Sequence, residues 1–187
     1  MIPTINFCSE CGNSVEQKIP DGETLLRAVC PNCQTIHYQN PKIVAGCIPE
    51  WEGKILLCRR AIEPRLGFWT FPAGFMELGE STEEAAARET REEANARVEI
   101  QSLYALFSLP YVSQVYVVYR ALLQDLDYGP GEESLEVQLI PIKAIPWDQL
   151  AFPVIRETLH RYVEDKQRTH VQTHFGLIPK QPHPSPP

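Results

Sequence analysis

Three glutamates and four cysteines in this 187-residue chain have the types and spacing to do chemistry. Glu89, Glu92 and Glu93 stand at i, i+3 and i+4 within GFMELGESTEEAAARETREEANA, residues 74–96, so a helix there puts three carboxylates on one face. Like charges at that spacing repel, and helix stability gains nothing from them. A cation among them reverses the sign. Hard carboxylate oxygens suit Mg²⁺ or Mn²⁺, ions usually held together with substrate phosphates, and the small Ala85 on the same face leaves room for a substrate. The competing reading is a solvated acidic helix surface. Cys8-x-x-Cys11 and Cys30-x-x-Cys33 lie 18 residues apart, the spacing with which two tight turns present four thiolates to a structural Zn²⁺. Gly12 and Asn32 supply turn chemistry at the two knuckles. Two disulfides or redox dithiols compete with zinc. Zinc is preferred because MIPTINFCSE has neither the basic region nor the apolar core of a secretion signal, which points to a reducing, cytoplasmic setting.

The elements that must position these groups are legible in outline. Ser81 and Glu84 have the spacing of a capping box, so the acidic helix starts there and runs to about Glu93; Asn95 suits its end because Asn tolerates the left-handed conformation. Residues 42–49 and 54–60 read as two strands turning at Glu52-Gly53, with Cys47 and Cys58 as buried core. Residues 98–109 and 114–123 read as long antiparallel strands of a mixed sheet, 137–142 as another strand, and 154–166 as an amphipathic closing helix. Arg59, Arg60 and Arg65 follow the second strand; a basic cluster facing a metal site is what a diphosphate needs, and a solubilising role is the alternative. Phe71 reads as core, and Trp69 as core or as one wall of a base-binding slot. The loop GPGEESLE carries Glu132, Glu133 and Glu136. His37, His160, His170, His174 and His183 share no ligand spacing and read as structural or exposed. The expected division is a zinc ribbon over 1–38, a main domain over 39–167 and a proline-rich, loose tail over 168–187.

Gly74, Glu80, Arg88, Glu89, Glu92 and Glu93 follow the pattern G-x5-E-x7-R-E-U-x-E-E-x-G-U, in which U is a bulky aliphatic residue, and the stretch resembles the Nudix box. It departs at Thr90 and Ala96, where an aliphatic is usual, and at Asn95, where glycine is usual. The resemblance implies an α/β (α+β) fold: a Nudix α/β/α sandwich with a mixed sheet, preceded here by the four-cysteine ribbon. It implies Mg²⁺ held by Glu89, Glu92 and Glu93 with backbone carbonyls at Ala73 and Gly74, and Arg88 orienting the carboxylates with Glu80 as its partner. Water activation falls to Glu92, Glu93 or a downstream glutamate, Glu136 first by its position just before the 137–142 strand and Glu133 second. Arg60, Arg65 and Trp69 are the expected substrate contacts.

The net charge of −7 disfavours nonspecific binding to nucleic acid, and residues 1–40 carry two cations against four anions, so the ribbon is a poor grip for a phosphate backbone. A fold-stabilising or dimer-forming role suits it better. No apolar run approaches a membrane span. The segments FCSECG, IPDGE, CPNCQTIHYQNPK, GFWTFPAGF, GPGEESLE and LAF are similar to zinc-ribbon Nudix proteins assigned as FAD pyrophosphatases. NADH pyrophosphatases share that layout but carry an SQPWPFPxS-like motif where residues 108–114 here read SLPYVSQ. The resemblance implies a homodimeric hydrolase of a small nucleotide diphosphate, giving FMN and AMP from FAD, or AMP and ribose 5-phosphate from ADP-ribose. An enzyme acting on NADH or NAD-capped RNA, and a regulator that binds a nucleotide without cutting it, are the alternatives.

Overall fold

The computed structural model describes residues 4–168 and 172–180, and the chain divides into two units, Met1–Pro41 and Lys42–Pro187. In the first, β1 (Glu16–Lys18), β2 (Arg27–Val29) and β3 (Ile36–His37) form a small antiparallel sheet. Its two knuckles close alike: the Gly12 N–H donates to the Cys8 carbonyl at 3.0 Å and the Gln34 N–H to the Cys30 carbonyl at 2.9 Å. Both donors have positive φ, +74° and +60°. The left-handed position at the second knuckle therefore falls on Gln34, while Asn32 lies inside the turn and points its amide at Cys11 Sγ.

The second unit runs β4 (Lys42–Trp51), β5 (Lys54–Arg60), β6 (Trp69–Thr70), β7 (Ala73–Phe75), α1 (Thr82–Ala94), β8 (Val98–Leu109), β9 (Gln114–Leu123), β10 (Ser134–Pro141), α2 (Pro153–Asp165) and β11 (His174–Leu177). Glu52 and Gly53 both take positive φ between β4 and β5, the geometry a two-residue hairpin loop requires. The sheet is mixed, in the order β10-β5-β4-β9-β8-β11, with β6 added to β5 and β7 to β4. β4 and β9 run parallel at its centre and are buried on both faces. Ala45, Cys47, Val117 and Tyr119 face Ala85 and Ala86 of α1; Val44, Ile48, Tyr116 and Val118 face Val154, Ile155 and Leu159 of α2. The period-two alternation of these strands thus builds an α/β/α sandwich. Among the described residues no helix is long and apolar enough to cross a membrane.

The departure at Thr90 has a local answer. Thr90 is fully buried, its hydroxyl donates to the Ala86 carbonyl at 2.8 Å, and Cys47 Sγ lies 3.1 Å from the same oxygen. A hydroxyl thus replaces the usual aliphatic without an unpaired donor. Burial pushes the Cys47 thiol up to about 12, so it stays a thiol and can donate. Part of the expected loose tail is a strand instead. β11 pairs in parallel with β8, Ile178 is buried behind it, and His174 Nε2 meets Asp165 Oδ2 at 2.6 Å, an oxygen that also accepts from Tyr104 at 2.9 Å. Four residues with a central glycine give too short a pattern to announce a strand, and the partners that hold it are distant in sequence. The expectations for His170, His183 and the PHPSPP end fall outside the described residues.

Candidate active site

Local chemistry fixes α1 at both ends. Ser81 Oγ accepts from the Glu84 N–H at 3.2 Å while the Glu84 carboxylate accepts from the Ser81 N–H at 2.7 Å. At the other end Asn95 is left-handed, φ 49° and ψ 21°, and its N–H returns to the Arg91 carbonyl. So held, the helix turns Glu89 and Glu93 inward, 9% and 6% exposed, and leaves Glu92 at the surface. β7 lies against this face. A Cβ on Gly74 would stand 2.3 Å from the Glu89 carboxylate, so glycine is required here by close approach and not by its φ. The Ala73 N–H points at Glu93 Oε2 from 3.4 Å.

Arg88 ties the acidic groups together. Its Nε and Nη2 fork onto the two Glu80 oxygens at 3.0 and 2.8 Å, Nη1 donates to Glu89 and to Glu92 at 2.8 Å each, and Nη2 also reaches the Phe75 carbonyl. The Arg88 fork and the Glu77 N–H hold the Glu80 carboxyl down to about 2. Glu93 goes the other way: burial, and then the charge of Glu89, push it up to about 8. Burial likewise raises Glu89, against the opposing pull of Arg88.

A loop remote in sequence completes the wall. Gly129 and Gly131 donate their N–H groups to the Ala94 and Glu93 carbonyls at 2.9 and 3.0 Å, seating the 129–133 segment on the C-terminus of α1. The Glu133 carbonyl then accepts from Ala61 at 2.8 Å, and Glu132 and Glu133 join Glu89, Glu92 and Glu93 on one cleft of about 910 Å³. The Glu133 charge contributes to raising both Glu89 and Glu93. Phe75, Tyr111, Gln114, Tyr116 and Phe152 line the same cleft, and Arg60 reaches it with its guanidinium 5.2 Å from the Phe152 ring centre.

Of the residues expected at the site, Ala73, Gly74, Arg88, Glu89, Glu92, Glu93, Glu133 and Arg60 line this cleft, with Glu80 behind Arg88. Three expected residues are not brought to it. Glu136 sits inside β10 opposite Arg59, 3.7 Å from its guanidinium, and accepts from Gln138. The strand begins at Ser134 rather than at residue 137, so the glutamate just before it is Glu133. Trp69 is a core residue, 8% exposed, and its carbonyl accepts from the Ala151 N–H. Arg65 has positive φ and lays its guanidinium over Phe68. Glu132, which as a loop glutamate reads nearly as well as plain solvated surface, and Tyr111 also line the cleft. For Glu132 the flanking Gly-Pro-Gly turn was a signal, whereas Tyr111 lies on a short 3-10 turn, Pro110–Val112, that no periodicity marks.

Two metals fit the donor sets. The four ribbon Sγ atoms lie within 4.8 Å of one another, and among the described residues they are the one cluster drawn together so tightly. Hydrogen bonds from the Asn13 side chain and backbone draw the Cys11 thiol down to about 6, toward the thiolate that zinc binds. The cleft carboxylates are tied differently: Arg88 holds Glu89 and Glu92 through one nitrogen, while Glu93 faces the Ala73 N–H. Their hard oxygens, gathered where Gly74 leaves no room for a side chain, suit a divalent cation such as Mg²⁺ or Mn²⁺.

A mixed-sheet sandwich with a capped acidic helix beside a carboxylate-walled cleft, carried behind a four-cysteine ribbon, defines the class. Residues 40–162 match the NUDIX domain family and residues 6–39 the Nudix N-terminal zinc-ribbon family, and the chain belongs to the Nudix hydrolase family. A crystal structure of a NUDIX hydrolase from Nitrosomonas europaea is 58% identical, with a TM-score of 0.91, and the match covers 94% of this chain and 99% of that one. The ADP-ribose pyrophosphatase of Methanocaldococcus jannaschii is 31% identical over 119 residues, 62% of this chain and 69% of that protein. The NAD-capped RNA hydrolase NudC of Photorhabdus laumondii subsp. laumondii is 29% identical over 163 residues, 85% of this chain but 59% of that protein.

Proposed function

We propose that this protein hydrolyses the diphosphate bridge of a dinucleotide or nucleotide-sugar, a class that includes ADP-ribose and NAD(P)H, with the help of a divalent cation, and that FAD, cut to FMN and AMP, is its preferred substrate within that class. The observation that carries the reading is the convergence of Glu89, Glu92, Glu93 and Glu133 with Arg60 on one cleft of about 910 Å³, a volume in the range that takes a small nucleotide ligand. Similarity to the archaeal ADP-ribose pyrophosphatase supports the substrate class. The segments shared with FAD pyrophosphatases support the flavin.

Glu89, Glu92 and Glu93, with the backbone at Ala73 and Gly74, are the residues that would hold Mg²⁺ or Mn²⁺. When bound, such an ion offsets the charge of the diphosphate oxygens and acidifies water. The chain's own groups do the rest. Glu133, held on the cleft wall by its backbone, accepts the proton of the attacking water. Arg60 pairs with a phosphate oxygen, and Arg88 keeps Glu89 and Glu92 aimed. The water oxygen bonds to one phosphorus as the bridging P–O bond breaks, and the bridging oxygen leaves on the other phosphate, so two monophosphates result. The ribbon cysteines hold structural zinc and take no part. The working partner is a small molecule, and the assembly we propose is a homodimer.

A second reading, hydrolysis of NAD-capped RNA, is favoured by the length of the NudC match, which spans 85% of this chain. The acidic ribbon weighs against it. Product analysis on FAD, NADH, ADP-ribose and NAD-capped RNA with Mg²⁺, against an EDTA control, separates the readings. FMN and AMP as the fastest products support the flavin. Capped RNA as the fastest substrate reverses the order of the two readings, and no turnover anywhere, with melting shifts on nucleotide addition, turns the protein into a sensor.

A further inference from the structure

The fourth carboxylate of the cleft comes from a segment far from α1 in sequence, so its position depends on what fastens that segment. Two backbone bonds do part of it, from Gly129 and Gly131 to the last carbonyls of α1. The other part comes from a residue that departs from the family pattern. Asn95 stands where glycine is usual, and it takes the left-handed conformation a glycine would take. Unlike glycine it carries a carboxamide, and its Nδ2 donates to the Pro130 carbonyl at 2.9 Å and reaches the Gly129 carbonyl at 3.4 Å. The turn it grips has little freedom. Proline fixes φ at residue 130, and a Cβ on Gly131 would fall 1.7 Å from the Glu92 carbonyl oxygen. From that turn the chain passes straight to Glu132 and Glu133 on the cleft wall.

We propose that Asn95 is a positioning residue: its carboxamide pins the 129–131 turn to the C-terminus of α1 and thereby holds Glu133 beside Glu89 and Glu93. The inference rests on the hydrolytic reading of that site. A plain helix cap is the competing role, and the two separate cleanly. Asn95→Gly keeps the left-handed backbone and the cap while deleting only the side-chain bonds to the loop; Asn95→Asp keeps the shape but replaces the donor with an acceptor.

The test is a double-mutant cycle of Asn95→Gly with Glu133→Gln in the full chain, read by steady-state kinetics on the substrate the wild type cuts fastest and by Mn²⁺ titration without substrate. Asn95→Gly and Asn95→Asp should each lower kcat about tenfold or more with little change in KM, since a small misplacement of a reacting group is costly. Mn²⁺ affinity should fall in Glu133→Gln, because Glu133 adds its negative charge to the cleft without itself holding the cation, and by no more than that in Asn95→Gly. The double variant should be no worse than Glu133→Gln alone in either readout, because both changes remove one function. Wild-type kinetics in Asn95→Gly, or losses that multiply in the double variant, overturn the proposal. If the wild type cuts nothing, the hydrolytic reading fails by itself, and the Mn²⁺ cycle still decides: non-additive losses keep Asn95 as the fastening of Glu133, and additive or absent ones remove it.

Discussion

Glu93 is the residue at which burial and chemistry meet. Its carboxyl is pushed up to about 8 by burial and by Glu89, against an ordinary value of 4.5, so in cation-free protein the folded state holds a proton there that the unfolded chain releases. The sign follows. The folded state binds more protons between about pH 4.5 and 8, so this group favours folding at the acid end of that window and ceases to as pH rises through about 8. Protein dialysed free of Mg²⁺ and Mn²⁺ with its ribbon zinc kept should therefore melt lower at pH 8 than at pH 6, and Glu93→Gln should flatten the difference. Cation binding must displace the same proton, so Mn²⁺ affinity should rise by up to about tenfold per pH unit across that range, measured by titration calorimetry. In the assay Glu93→Gln should lower kcat by about 10²–10⁴-fold with a melting temperature unchanged or raised, since a cation-holding oxygen is lost while the volume of the neutral side chain is kept. Gly74→Ala tests close approach: its Cβ would stand 2.3 Å from the Glu89 carboxylate, so turnover should fall about 10²-fold by displacement of that group.

At the scale of elements, α1 was readable because its ends are made by its own neighbours. The Ser81–Glu84 box and the left-handed Asn95 are interactions within four residues, and the structure contains both. Ser81→Ala should cost about 1 kcal/mol and lower the melting temperature by about 2–4 °C for a chain of this size, leaving kcat within a few-fold. β10 and β11 were harder because their boundaries are set by partners. β10 starts at Ser134 because Arg60 lies opposite it, and that shift of three residues moves the catalytic expectation from Glu136 to Glu133. Glu133→Gln should therefore lower turnover strongly, and Glu136→Gln, which alters a half-exposed pair with Arg59, should leave it within a few-fold.

For the whole molecule, the two units have separate supports. The ribbon sheet has three short strands, and the four-cysteine cluster beside it is placed to take a metal cross-link. A zinc-selective chelator, with Mg²⁺ kept in excess, should abolish amide-exchange protection across residues 16–37 while the strands of the second unit keep theirs, because zinc binding supplies the folding free energy of such small units. Cys30→Ser should do the same, and retained protection in the chelated protein would argue for disulfides or packing in place of zinc.

The sequence by itself determined which residues could share a face, a cap or a metal: the three glutamates of α1, the two cysteine pairs, the Gly74 turn and the central strands, since each rests on spacing along the chain. Only the tertiary structure decided which distant groups meet them. It brought Glu133 and Arg60 to the cleft, left Glu136, Arg65 and Trp69 elsewhere, and turned 174–177 into a strand. Those outcomes hang on strand register and on one loop docking at a helix end, where a one-residue shift redirects a side chain and local propensity is silent.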